Sequence, residues 1–110
     1  MLSKVLPYGD AIAEDQGGGV TRRVLAYLPE QMMVEVRFER GAAGAVHSHP
    51  HTQCTCVLEG EFDFTVEGRV FTVRKGDTLA FAPHEKHGCV CREKGVLLDV
   101  FAPMREEFLH

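Results

Sequence analysis

This chain contains a series of short segments in which apolar and polar residues alternate, separated by glycine turns. Residues 32–39 alternate an apolar face with a charged face, and residues 61–67 repeat the pattern through two phenylalanines and a valine. A period of two residues is typical of a strand with one buried face. Dipeptides such as Glu67-Gly68 supply turns between neighbouring strands. The chain is therefore predicted to be all-β.

Further strand-like segments lie on both sides of these two. A chain of 110 residues suits a single domain with a buried core, and many short strands in one domain favour a sandwich or a closed barrel. We predict an N-terminal strand and connector over residues 1–30 that belong to the barrel, the barrel itself over 31–103, and a C-terminal tail over 104–110. Strands are expected at residues 21–28, 32–39, 52–58, 61–67, 70–73, 78–82, 87–91 and 96–101, with a mobile glycine connector at 17–19 and a short helical turn within 104–109.

The charge and hydropathy of the chain argue against two classes of partner. The net charge is −4 and no block of lysine or arginine occurs, so we expect no concentrated basic surface of the kind that nucleic-acid binding needs. No segment is apolar over the length that a bilayer requires, and the acidic residues among the first 19 do not fit a signal peptide. We therefore expect no nucleic acid and no membrane as partners, and a cytoplasmic location.

Four cysteines form two C-x-C pairs, Cys54 with Cys56 and Cys89 with Cys91. Structural zinc sites usually separate their paired cysteines by about two to four residues around a tight turn. Here both pairs lie in strand-like segments, so the two members of a pair share one face. A reduced cysteine is a good small core residue, and cytoplasmic cysteines stay reduced. Packing is the favoured role for both pairs, over a zinc or disulfide role.

The histidines are concentrated in two places, with His47, His49 and His51 in the first and His87 in the second. In a strand, His47 and His49 project from the same face, and Gln53 has the same parity. The hairpins that precede His87 can return it to that face. Three imidazoles and one oxygen donor suit Mn, Fe, Co, Ni, Cu or Zn. An H-x-H pair alone is weak evidence for a metal, since histidines in a loop are often only solvated.

The residues around these histidines resemble the first motif of the cupin family. That motif has a glycine, an H-x-H pair, an acidic residue and a second glycine at set intervals. Five residues separate Gly41 from His47, three separate His49 from Gln53, and six separate Gln53 from Gly60. The order and the intervals match the motif, with glutamine in the position of the acid.

The second cupin motif is matched by Gly76-Asp77, Pro83 and His87, loosely in spacing and with Glu85 where a glycine is usual. The two motifs together cover roughly residues 32–101. This resemblance implies a single-domain cupin fold, a double-stranded β-helix or jelly-roll barrel, with one divalent metal ion in its interior. By the resemblance, the metal ligands are His47, His49, Gln53 and His87.

The glutamine at position 53 has a chemical consequence, because many relatives of this type have glutamate there. Three imidazoles and an amide are all neutral, so they leave the double positive charge of the metal uncompensated. Such a site should attract an anionic ligand and act as a Lewis acid. It is less suited to a high-valent iron intermediate, which makes a metal-dependent dioxygenase the weaker enzymatic alternative.

The last strand-like segment is apolar except for Asp99, which shares a face with Leu97 and Phe101 by alternation. A carboxylate in such a segment is costly to bury without a partner. Asp99 can be an acid/base group of a site, or it can pair with an arginine or cap a neighbouring strand. Arg105 can reach over the barrel and bind a carboxylate with its planar guanidinium, or it can be a solvated residue of the tail.

A narrower resemblance is to the pectin-degradation cupins of the KdgF type. It is carried by residues 32–38 and 47–53 and by the ending Asp99, Phe101 and Arg105. It implies a metal-dependent enzyme that opens the ring of 4,5-unsaturated monouronates from pectin or alginate, giving the linear 4-deoxy-5-keto-uronate. It also implies a small anionic sugar acid as substrate, a Ni, Zn, Mn, Fe or Co ion, and a homodimer.

The roles that this reaction would assign are proton transfer for Asp99, fixation of the substrate carboxylate for Arg105, and an apolar wall for Phe101. A non-catalytic sensor of sugar acids or metal is the alternative from another class, because cupin barrels also serve as binding domains. No DNA-binding segment accompanies this barrel, which weakens a regulatory role.

Overall fold

Strands dominate the chain, as the alternating segments predict. Within residues 4–110, which the computed structural model describes, the chain forms eight β-strands and two short 3₁₀ helices. The 3₁₀ helices are Tyr8–Asp10 and Glu106–Phe108. The strands are β1 Glu14–Gly17, β2 Val20–Leu28, β3 Gln31–Phe38, β4 Ala43–His47, β5 Thr52–Val66, β6 Arg69–Arg74, β7 Thr78–Phe81 and β8 His87–Ala102.

The long strands β5 and β8 organise the sheet, because they pair with each other along most of their length. All strand pairs are antiparallel, in the order β1-β2-β3-β8-β5-β6, with β4 added to β8 and β7 added to β5. The first part of β5 pairs with β7 and the second part with β6, while β8 pairs first with β4 and then with β3. This change of neighbours folds the sheet over a shared interior, and the all-β, single-domain barrel is confirmed.

Two predicted strand ends are wrong, because Gly60 and Gly95 lie inside strands. Residues 52–58 and 61–67 belong largely to the single strand β5, and residues 87–91 and 96–101 both belong to β8. A Cβ on Gly60 would lie 2.5 Å from a backbone oxygen of β8, and one on Gly95 would lie 2.6 Å from a backbone oxygen of β5. These glycines therefore allow two bent strands to approach closely. In a sequence, a glycine with this role is easily mistaken for a glycine in a turn.

The glycines at 17–19, predicted to be a mobile connector, form the turn between β1 and β2. Gly17 pairs with Val20 across the turn between β1 and β2, and all three glycines have positive φ, from 62° to 86°. Most other residues adopt such angles only at a cost. Neither β1 nor β4 was among the predicted strands, because neither has an apolar alternation long enough to stand out.

The interior contains two neighbouring apolar clusters. The smaller one is formed by Met32, Val34 and Phe101, and the C-terminal tail packs against it through Phe108 and Leu109. The predicted apolar face of β3 is thus directed inwards. The larger cluster consists of Phe38, Ala42, Val57, Phe62, Phe64, Val73, Phe81, Cys89, Cys91 and Leu97.

No helix in the described part of the chain has the length and hydropathy to cross a membrane.

The two cysteine pairs differ in their environment. Cys89 and Cys91 are buried in the larger cluster, as predicted for a packing role, whereas Cys54 is exposed and Cys56 is partly buried. All four are free thiols. The prediction of a packing role therefore holds for the second pair and fails for Cys54, which lies on the outer face of β5.

Candidate metal centre

Three histidines converge at one end of the larger apolar cluster. His47, at the end of β4, is the register partner of His87, at the start of β8, and His49 follows in the loop before β5. One nitrogen of each ring lies within 4.8 Å of the others. His49 and His87 are buried, while His47 is exposed. His51 packs edge-on against the ring of His49 but lies outside this converging group.

In His47, His49 and His87, the Nδ1 atom faces a backbone carbonyl. Because a carbonyl oxygen only accepts hydrogen bonds, the proton of a neutral ring must be on Nδ1, which leaves the lone pair of Nε2 free. Metal-binding histidines commonly have this second hydrogen bond, which fixes the tautomer and the ring orientation. The contacts are His47 Nδ1 to Ala45 O at 2.9 Å, His49 Nδ1 to His51 O at 3.1 Å, and His87 Nδ1 to Glu85 O at 2.9 Å.

The Nε2 atom of His87 is buried and has no hydrogen-bond partner among the described residues. The ring is held by stacking on Phe81, with centroids 4.2 Å apart and planes inclined by 10°. Burial lowers the pKa of His87 and of His49, which favours the neutral imidazole that a metal requires. A buried nitrogen without a partner needs an explanation, and a bound cation would provide one.

Gln53, the second residue of β5, adds an amide oxygen to the three imidazole nitrogens as a fourth candidate metal ligand. Its Oε1 lies 2.9 Å from His49 Nε2, and its Nε2 donates to Thr55 Oγ1 at 2.9 Å. If the proton of His49 is on Nδ1, the two atoms facing each other are both electron-pair donors, an arrangement that a cation stabilises. Three imidazole nitrogens and an amide oxygen suit a divalent transition ion. The residues present therefore fit a metal of this class.

Asp99 lies on β8, next to the strand β5 that carries Gln53. Its register partner on β5 is Thr55. The Thr55 hydroxyl donates to Asp99 Oδ1 at 2.7 Å. Burial raises the pKa of Asp99 to about 6, against the opposing effect of its hydrogen bonds. Asp99 forms no salt bridge with an arginine in the part of the chain described here. The carboxylate thus accepts a hydrogen bond from a hydroxyl. It does not pair with an arginine, which was one of the alternatives considered from the sequence.

Phe101 and Arg105 extend the site on the side away from Phe81. Phe101 is buried and contacts His49 edge-on, with ring centroids 5.7 Å apart. The guanidinium of Arg105 lies 5.0 Å from the centre of the Phe101 ring, and its Nε donates to Glu107 at 3.1 Å. Only 12% of the Arg105 side chain is exposed. Arg105 is therefore packed against the site and is not a freely solvated residue of the tail.

Two residues near this group were not predicted from the sequence. Thr55 is 1% exposed and could have been found by parity, since it is two residues from Gln53 on the same strand. Arg22 on β2 stacks over Phe108 at 3.9 Å, on the face that it shares with Val20 and Val24. An arginine in an amphipathic strand is usually taken as solvent-facing, so the sequence offered little signal for it.

Comparison with known proteins agrees with this geometry. The cupin domain family matches residues 34–101. The pectin degradation protein KdgF of Dickeya dadantii is 38% identical over 98 residues, covering 87% of this chain and 89% of that protein.

Two solved structures have the same fold over nearly the whole chain. One is an RmlC-like cupin from Shewanella frigidimarina, with a TM-score of 0.93 and 39% identity over 98% of this chain and 97% of that one. The other is KdgF from a Halomonas species, with a TM-score of 0.93 and 31% identity over 98% of this chain and all (100%) of that one. The chain therefore belongs to the cupin family and, within it, to the small single-domain cupins of the KdgF type.

Proposed function

We propose that this protein opens the ring of 4,5-unsaturated monouronates in a metal-dependent isomerisation, giving the linear 4-deoxy-5-keto-uronate. The observation that carries the proposal is the position of Asp99, a carboxylate with a raised pKa, in the same interior as three converging histidines. The similarity to a protein named for pectin degradation supports a uronate as the substrate class. A small anionic sugar acid derived from pectin or alginate is the substrate that follows.

The reaction needs proton transfers and a place for developing negative charge. The substrate is a cyclic enol ether with a hemiacetal at C1 and a carboxylate at C5. Ring opening removes the proton from the C1 hydroxyl while the bond between C1 and the ring oxygen breaks, leaving an enolate conjugated with the carboxylate. Protonation at C4 then gives the ketone, so that no atom is gained or lost overall.

The ligands that we assign to the metal are His47, His49, Gln53 and His87. A divalent ion bound there would supply a Lewis acid that stabilises negative charge on oxygen. All four ligands are neutral, so the charge of the ion is available to an anionic substrate. The backbone carbonyls on the Nδ1 atoms hold the rings in the orientation that this binding needs.

Asp99 is the residue that we assign to proton transfer. A general acid or base works best when its pKa is close to the pH of operation, and a pKa of about 6 lets one carboxyl group accept a proton and then return it near neutral pH. The hydrogen bond from Thr55 fixes the orientation of the group. In this assignment Asp99 takes the proton from the C1 hydroxyl and then delivers a proton to C4.

Arg105 and Phe101 are assigned to substrate binding. A guanidinium binds a carboxylate with two parallel hydrogen bonds, and Arg105 already lies against the ring of Phe101. Phe101 covers one edge of His49 with an apolar surface, which excludes water from the reacting atoms. Substrate binding would compete with the present ion pair between Arg105 and Glu107.

Ultraviolet absorbance tests the proposal directly. The conjugated double bond of an unsaturated monouronate absorbs, whereas the linear ketone does not, and the mass is the same. We expect the metal-loaded protein to remove the absorbance faster than the spontaneous rate, and His49→Ala to abolish the effect. His84→Ala is the matched control, because that histidine is exposed in the same region. Loss of absorbance no faster than the spontaneous rate, with metal bound, would contradict the proposal and favour a sensor or a dioxygenase.

Location and assembly form part of the same proposal. Four free thiols in the described chain fit a reducing compartment such as the cytoplasm.

Exposed apolar side chains on the outer strands, among them Val70 and Phe71 of β6, offer surface to a second copy in a homodimer. Light scattering at several protein concentrations tests the dimer.

A further inference from the structure

Thr55 lies between two groups of the site, and both contacts use its hydroxyl. Gln53 Nε2 is 2.9 Å from Thr55 Oγ1, and Thr55 Oγ1 is 2.7 Å from Asp99 Oδ1. Gln53 is 5% exposed and Thr55 is 1% exposed, so bulk water does not replace either contact. We propose that Thr55 is a positioning residue that turns the amide oxygen of Gln53 towards the metal.

The direction of this relay follows from the number of hydrogens. A threonine hydroxyl has one hydrogen to donate, whereas an ionised carboxylate only accepts. The hydrogen therefore goes to Asp99, and the lone pairs of Oγ1 remain for Gln53. Only the nitrogen of the Gln53 amide can donate to them. The amide oxygen must then point the other way, to the position 2.9 Å from His49 Nε2.

This orientation decides whether Gln53 can be a ligand at all. The oxygen of an amide binds a metal, but its NH₂ group does not, and the two ends differ little in size. A glutamate in this position would offer an oxygen in either orientation, so it would not need the relay. The glutamine of this chain does need it, and the inference rests on the proposed function only in taking Gln53 as a metal ligand.

The arrangement of the strands makes the relay possible. Gln53 and Thr55 are two residues apart on β5, so their side chains leave the same face. Asp99 is the register partner of Thr55 on the neighbouring strand β8, where opposed side chains lie close enough for a hydrogen bond. The Thr55 hydroxyl thus contacts both the proposed metal ligand and the proposed acid/base residue.

Metal affinity in the absence of substrate tests this role. Thr55→Val keeps the shape of the side chain and removes the hydroxyl, and loss of such an outer contact typically costs about 10- to 100-fold in metal affinity. We expect a loss of that size in a calorimetric titration with Co²⁺, a changed visible spectrum of the bound Co²⁺, and recovery to within a few fold in Thr55→Ser. Should Thr55→Val fail to fold, Thr55→Ala removes the same hydroxyl and has the same expected loss.

A matched control and a double variant separate positioning from general stability. Thr72 on β6 also donates to an aspartate, Asp63 Oδ1 on β5, at 2.7 Å, but this contact is exposed, and Thr72→Val should leave Co²⁺ affinity unchanged. In a Gln53→Ala background, Thr55→Val should cause no further loss, because the ligand that it orients is absent. Unchanged Co²⁺ affinity in Thr55→Val, or an equal further loss in the Gln53→Ala background, would overturn the role. Neither result depends on the uronate reaction, so failure of the proposed function would be seen separately.

Discussion

The two sides of the histidine cluster are built from the same two strands and differ in composition and in hydrogen bonding. On one side, β5 and β8 contribute Phe62, Phe64 and Cys91 to an apolar cluster. On the other side, the same strands contribute Gln53, Thr55 and Asp99, which are joined by hydrogen bonds. The apolar side is made of rings in contact, whereas the polar side includes a carboxylate with a pKa raised to about 6 by burial.

The apolar side contributes mainly to stability, and the polar side contains the groups suited to chemistry. From His87, aromatic contacts continue through Phe81, Phe64 and Phe62 to Phe38, with successive centroids 4.2, 5.9, 6.2 and 5.2 Å apart. Apolar burial of this kind is the main source of folding free energy. Partial burial of Asp99 opposes folding, and so does burial of the His87 Nε2, which has no hydrogen-bond partner among the described residues. We infer that the apolar side stabilises the barrel and so offsets the cost of placing polar groups in its interior.

The largest effect is expected from Asp99→Asn, which changes only the polar side. Removal of a general acid/base group typically lowers turnover by about 10²- to 10⁴-fold. The amide oxygen of asparagine can still accept from Thr55, so Co²⁺ affinity should be preserved, and loss of a partly buried charge should not lower the free energy of unfolding. The ultraviolet assay, Co²⁺ titration and thermal unfolding measure the three quantities.

Asp63→Asn is the matched control for that variant, because Asp63 also accepts from a threonine, Thr72, but on the outer surface. Its turnover should equal that of the unaltered protein. Full turnover in Asp99→Asn with metal bound would remove Asp99 from the mechanism and leave the two sides of the cluster different in composition but not in role.

The second prediction reverses the comparison by altering the apolar side with Phe62→Ala. Phe62 is fully buried, at 0% exposure, and truncation of a core phenylalanine typically costs about 3–5 kcal/mol. Urea unfolding should show a loss in this range, while the folded variant keeps its Co²⁺ affinity. Phe71→Ala, at an exposed site on β6, should cost less than about 1 kcal/mol. A large drop in metal affinity without a drop in stability would contradict the division of roles.

The sequence predicted the structure best where the relevant pattern lies within one short segment. Alternation in β3 predicted its inward face, and the intervals around His47, His49 and Gln53 predicted residues that the fold does bring together. Local patterns failed at Gly60 and Gly95, because a glycine that permits two strands to approach closely has the same sequence signature as a glycine in a turn.

The contacts between distant parts of the site could not be predicted from the sequence, because they depend on the register between strands. Thr55 and Asp99 are 44 positions apart, and nothing in either segment indicates that they are opposed across β5 and β8. Arg22 reaches Phe108 only because the tail returns to the face of β2. Partners of this kind are set by the pairing of strands, which a single sequence specifies only indirectly.

The smallest expected effect is a difference in thiol reactivity between the inner and outer faces of β5 and β8. Cys54 is exposed on the face of β5 opposite Gln53, whereas Cys89 and Cys91 point into the apolar cluster. Burial raises the pKa of the Cys89 thiol to about 12 and also raises that of Cys91. Since only the thiolate reacts, a pKa near 12 leaves about 10⁻⁴ of that thiol reactive at pH 8.

An aromatic disulfide reagent added to the folded protein at pH 8 should therefore modify Cys54 first, and Cys54→Ser should remove that fast reaction. The reaction should leave uronate turnover nearly unchanged, because the modified face is not the one that carries Gln53 and Thr55. Cys89 and Cys91 should react only after the addition of denaturant. Rapid reaction of all four thiols without denaturant would mean that the apolar side opens readily, and the stabilising role assigned to it would then be untenable.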